Sequence, residues 1–156
     1  MLDEPPGGEP RPAVGPRIVL AFDYGRRRIG VACGDTLSRA ATPLGIVAAT
    51  ADGPLWPELD GLVKRWEPAL AVVGLPYNVD DTQGAMAANA RRFAAALAAR
   101  YALKIEFVDE RYSSLEAAAR LREARQSGAR KRRVAKTDVD AYAACVILER
   151  WFTEEN

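Results

Sequence analysis

The chain has 156 residues, 49% of them hydrophobic and 28% charged, with a net charge of +1 and no histidine. That length and balance predict one domain with a real core, and the near-neutral total says nothing about partners. The absence of histidine excludes a Ser-His-Asp triad and a histidine-pair ribonuclease. With only two cysteines, Cys33 and Cys145, it also excludes an ordinary four-ligand zinc site.

Residues 1–16 hold five of the ten prolines and three glycines, a composition predicted to form a disordered tail. The start is acidic and proline-rich, unlike a signal peptide, and no apolar run reaches membrane-spanning length. The expectation is a cytoplasmic protein with an ordered domain over 17–153. Residues 17–23 are almost continuously apolar, as in a strand buried on both faces. Tyr24 to Arg27 reads as a tight turn. Ile29, Val31 and Cys33 alternate with Gly30, Ala32 and Gly34, which predicts a strand pairing closely with the first. A third strand is expected near 44–48.

A helix is predicted over 55–67, stopped by Pro68, followed by a buried strand at Leu70–Gly74. Residues 83–100 carry a narrow apolar stripe on an alanine-rich helix. Ile105–Val108 reads as a strand and Leu115–Ala119 as part of a helix. Residues 127–136 read as a polar basic loop, and the last helix is predicted to be capped by Thr137 or Asp138. Cys33 and Cys145 fall inside apolar patterns and read as small buried hydrophobes, and the three tryptophans as core. The order β-β-β-α-β-α-β-α-α predicts an α/β protein: a mixed sheet, antiparallel first, with helices on both faces.

Three acids stand at the ends of these elements: Asp23 after the first strand, Glu110 after the strand at 105–108, and Asp140 in the last helix. If the two strands lie side by side, their carboxylates meet at one edge, and Asp140 can join them from above. Three such anions call for a cation, and hard ions such as Mg²⁺ or Mn²⁺ take oxygen ligands. The competing reading makes Asp23 a turn cap, Glu110 a partner for Arg111 or a neighbour, and Asp140 a helix-dipole acid. Spacing alone leaves both readings open. Asp138 is two residues from Asp140, about 200° away on a helix, and reads as a cap. Asp109 should face away from Glu110, and Asp35 reads as a turn residue.

Gly25 and Asn78 are candidates for phosphate-approaching loops, with plain turns as the alternative. Residues 111–136 carry nine Arg or Lys against two Glu, a local charge of +7. Within them Arg130, Lys131, Arg132, Arg133 and Lys136 are the candidate nucleic-acid contacts, because they precede the helix of Asp140. A solvated charged loop is the competing reading.

Four stretches taken together resemble the YqgF/RuvX family, a branch of the RNase H-like nucleases related to the RuvC Holliday-junction resolvases. They are Ala21–Gly25 with Arg28–Ala32, Val73–Asn78, Val108–Ser114 and Val139–Ala144. The resemblance runs from Arg17 to about Phe152. It implies an RNase H-like fold, and it implies that Asp23, Glu110 and Asp140 hold Mg²⁺ or Mn²⁺ as catalytic ligands. It further implies a nuclease acting on RNA, processing the 5′ end of pre-16S ribosomal RNA. Resolvase relatives often carry a further acid where this chain has Thr137. Two other functions fit the same resemblance: a dimeric Holliday-junction resolvase acting on DNA, and a non-catalytic RNA-binding assembly factor. An ATP-binding lobe of the actin-like kinase type shares the Asp-x-Gly hairpin but needs two lobes around one nucleotide.

Overall fold

Strand β1 (Ile18–Asp23) owes its place to Val19–Phe22, which are wholly withdrawn from water on both faces. It pairs antiparallel with β2 (Arg28–Asp35), and β2 with β3 (Ala41–Thr50). The computed structural model describes residues 17–76, 84–110, 113–126 and 136–154. β3 is longer than its apolar centre predicts, because Ala41–Pro43 extend the ladder to Ala32–Gly34. Its far end turns back through β4 (Gly53–Pro54), a two-residue strand too short to leave a periodic signal.

Helix α1 (Trp56–Trp66) closes on Glu67, whose left-handed φ of 45° directs its N–H to the Val63 carbonyl, just before Pro68. Every residue of β5 (Leu70–Leu75) is buried. It runs parallel to β1 on one side and to β6 (Lys104–Asp109) on the other, with α2 (Ala85–Tyr101) as the crossover. Helices α3 (Ser113–Gln126) and α4 (Lys136–Glu154) follow. The sheet order is β4-β3-β2-β1-β5-β6. Side-by-side pairing of β1 and β6, which the sequence leaves open, is therefore not realised; β5 lies between them.

Alternation along β1 and β5 divides the core into two layers. Leu20, Phe22, Ala71 and Val73 face α1 and α2, packing with Leu59, Phe93 and Leu97. Val19, Ala21, Leu70 and Val72 face α4, packing with Ile147, Leu148 and Trp151. Ala143–Leu148 are buried without interruption because α4 is covered twice, by the sheet beneath and by Ala117 of α3 above. Both cysteines are buried, as predicted, and burial pushes the Cys145 thiol up to about 12. Trp151 is core, while Trp56 and Trp66 are half-buried at the margin of the layer under α1 and α2.

The small residues of β2 have a purpose beyond strand pairing. A Cβ on Gly34 would lie 3.0 Å from Leu148 Cδ2, and one on Gly30 would lie 2.0 Å from the Asp140 carbonyl oxygen. This row is the seat for α4. Gly30→Ala is therefore expected to be far more damaging than a surface glycine change, by about 2–3 kcal/mol, since backbone cannot give way as a flexible side chain can. A melting temperature within a degree of wild type would mean that α4 does not sit on β2 here.

Candidate active site

Asp23 ends β1 with the parity of Val19 and Ala21, placing it on the α4 side of the sheet. Glu110 follows β6 with the parity of Val108, on the same side, and its backbone N–H extends the parallel ladder by donating to the Leu75 carbonyl at 3.1 Å. Both acids thus stand at the carboxyl ends of parallel strands, where open α/β sheets place ligands. Since β5 separates their strands, they can meet only by crossing it. Gly74 permits the crossing: a Cβ there would lie 2.9 Å from Glu110 Cβ and 2.5 Å from Ile147 Cδ1. The Asp23 and Glu110 side chains join in a hydrogen bond.

The electrostatics follow from burial. Desolvation, reinforced by the Asp23 charge and by the hydrogen bond to Asp23, raises the Glu110 carboxyl far above the ordinary carboxylate range. Arg150 opposes this at a distance, and its Nη1 donates to the Asp109 carbonyl at 2.9 Å. Without a cation, these effects favour the protonated form of Glu110, whose O–H can donate a hydrogen bond to the Asp23 carboxylate.

Asp140 arrives from α4. Its backbone lies over Gly30, and Gly30 is the residue directly across the β1–β2 ladder from Asp23. The fold thus brings all three predicted acids to one sheet edge. The Asp140 carboxylate is held by Arg28 Nε at 2.8 Å, both side chains being partly buried. Among the described residues no three acids are gathered closely enough to share one ion; two are joined and the third is tied to Arg28. The set still suits a hard cation. Its donors are all carboxylate oxygens, and the half-buried pair is joined by a hydrogen bond where a metal charge would relieve the repulsion.

Two expectations about α4 need correction. The helix begins at Lys136, so Thr137 and Asp138 lie inside it rather than capping it, and Lys136 belongs to the helix rather than to the loop. The residues from Lys136 to Val139 include no helix breaker, so the helical turn simply continues upstream. Asp138 occupies the first turn and Asp140 the fifth position, and their divergence on the helix surface stands. Asp35 is a turn residue as predicted, accepting hydrogen bonds from the Leu37 and Ser38 backbone amides. Asp109 is exposed. Gly25 lies in the β1–β2 turn, where a Cβ would meet the Arg28 carbonyl oxygen at 2.6 Å. Asn78, Arg130, Lys131, Arg132 and Arg133 fall outside the described residues.

Sequence reasoning missed Arg28 and Gly74. Each had a signal: an arginine two residues before a glycine facing the site, and a glycine inside an otherwise continuous Leu-Ala-Val-Val run.

This architecture has solved counterparts. Thermus thermophilus RuvC in complex with Holliday junction substrate superposes with a TM-score of 0.54 at 15% identity, covering 88% of this chain and 95% of that one. The yeast mitochondrial Holliday junction resolvase gives 0.52 at 11% identity, covering 86% and 77%. The fold is RNase H-like. Residues 17–154 match the sequence model of RuvX, described as Holliday junction resolvase, and the chain belongs to that family. Relatives named "Putative pre-16S rRNA nuclease" include one from Xanthomonas campestris pv. campestris (strain 8004), 46% identical over 86% of each chain. Another, from Francisella tularensis subsp. holarctica (strain FTNF002-00 / FTA), is 40% identical over 87% of this chain and 96% of its own.

Proposed function

We propose that this protein is a divalent-metal-dependent nuclease that hydrolyses phosphodiester bonds of RNA, and that its task is processing of the 5′ end of pre-16S ribosomal RNA. The observation that carries the reading is the half-buried Asp23–Glu110 pair at the strand ends, with Asp140 beside it. The names borne by relatives at 40–46% identity support the choice of RNA.

Asp23, Glu110 and Asp140 would hold Mg²⁺ or Mn²⁺. When bound, such ions acidify a water and stabilise a departing oxygen. The residues themselves set the conditions for this. Asp23, at the end of β1, is hydrogen-bonded to Glu110 and stands across the ladder from Gly30, over which Asp140 lies, so it would serve as a ligand alongside both. Glu110 would give up its proton as the site is loaded. Arg28 keeps the Asp140 carboxylate fixed at the sheet edge and would loosen as Asp140 turns to the metal. With no histidine in the chain, no imidazole can act as general base. The basic run Arg130–Arg133 leads into α4, and we assign it to gripping the phosphate backbone.

The family description favours a second reading, cleavage of Holliday-junction DNA by a dimer, since two symmetric cuts call for a two-fold assembly. One experiment weighs both. Labelled precursor RNA and a four-way DNA junction are incubated with purified protein in Mg²⁺, Mn²⁺ or EDTA. Discrete RNA products with metal and none with EDTA are expected. Cutting of the junction alone would replace the first reading with the second. Equal products in EDTA would remove the metal from both.

A further inference from the structure

The β1–β2 turn divides two faces. Asp23 belongs to the α4 side, whereas the next residue, Tyr24, turns to the α2 side and packs at a tilt against Phe93 with ring centroids 5.0 Å apart. There it borders a cavity of about 640 Å³, enclosed by this turn, the β3–β4 hairpin tip and α2. A cavity of that size suits a nucleotide.

Its lining combines three cations with three aromatic rings, of which Tyr24 and Trp56 are half-buried and Phe93 is buried. Arg26, Arg27 and Arg92 border it, with Asp52 as the acid among the lining residues. Arg26 and Arg27 are exposed and have no carboxylate partner among the described residues. Arg92 bonds the neutral Asn89 side chain, which leaves its charge uncompensated. Trp56 completes the wall, with Arg100 over its ring at 4.8 Å. Tyr24 and Trp56 are both half-buried, each with part of its surface still open to the cavity. Aromatic rings beside a positively charged groove are the means by which proteins hold unpaired nucleic acid. A duplex cannot use them, because its bases are stacked inside.

We infer that this cleft is a subsite for an unpaired nucleotide of the substrate strand, with its base against Tyr24 or Trp56 and its flanking phosphates on Arg26, Arg27 and Arg92. The inference rests on the nuclease reading for the identity of the strand, since the cleft opens one residue from Asp23. It adds a preference: the strand should be single where it leaves the cutting site.

The test measures binding, in EDTA, of a fluorescent single-stranded RNA of about ten nucleotides and of its blunt duplex. The Arg26→Ala/Arg27→Ala/Arg92→Ala variant should bind the single strand at least about tenfold more weakly at low salt. Its log–log salt slope should fall by about 0.7 for each phosphate that the cleft ceases to hold. Duplex affinity should stay within about twofold, and Arg26→Lys/Arg27→Lys should keep most single-strand affinity. Photocrosslinking of thiouridine RNA to wild type, read by peptide mass, should mark Tyr24 or Trp56. Unchanged single-strand affinity and slope would overturn the subsite, as would an equal weakening for duplex or crosslinks elsewhere. Because binding is read without metal, a protein that binds through this cleft yet never cuts would refute the nuclease reading and keep the subsite.

Discussion

Asp23→Asn is expected to lower hydrolysis on the order of a thousandfold or more, with the fold kept and the melting temperature not lowered. Asp23 sits where β1 ends, hydrogen-bonded to Glu110 and across the ladder from the residue beneath Asp140. Glu110→Gln and Asp140→Asn should be similarly inactive. Groups that act as one unit give effects far from additive, so Asp23→Asn/Glu110→Gln should be scarcely worse than either alone. Asp138→Asn should be mild, because Asp138 lies on a different face of α4. Single-turnover rates with saturating substrate check this. If Asp140→Asn stays active while Asp138→Asn is dead, the third ligand has been assigned to the wrong acid.

The second large effect concerns stability. Glu110 in the metal-free protein holds its proton far more tightly than in the unfolded chain, because burial and Asp23 disfavour its charge. A carboxyl whose folded pKa is raised contributes stability in full below its unfolded pKa, near 4.5, and loses it as pH climbs toward the folded value. Metal-free protein should therefore weaken from pH 5 to pH 8, by on the order of 1 kcal/mol per pH unit. The window is unusually clean, since the chain has no histidine to titrate in it. Glu110→Gln should flatten the slope and melt higher than wild type at pH 8, trading activity for stability. Mg²⁺ or Mn²⁺ should raise the wild-type melting temperature, more at pH 8 than at pH 6, and EDTA should reverse it. A wild-type melting temperature that is level across the window and equal to that of Glu110→Gln would contradict the buried proton.

Much of this is legible in the sequence, for physical reasons. Strands buried on both faces read as apolar runs, so β1 and β5 are plain, and the acids at the strand ends point to one edge. The neighbour relations are not legible, because pairing between β5 and β6 depends on where a crossover helix delivers the chain. The route from Glu110 to Asp23 across Gly74 is therefore hidden, and so is the use of Gly30 as a seat for α4. The start of α4 is misplaced by sequence reading since Thr137 and Asp138 make good caps wherever a helix happens to begin. Arg28 escapes notice because its partner is 112 residues away.

That last separation has a bearing on how the protein matures. Gly30 and Asp23 belong to a meander of local hairpins that can form early in synthesis, whereas α4 comes after every strand in chain order. Pairings so distant in sequence form late, once the long intervening loop has been closed. The apolar face of β1 and β2 must wait uncovered until then, and the two acids at its edge wait without their third. On the proposed function, a nascent chain would gain its full set of acids only after its last helix has left the ribosome and docked.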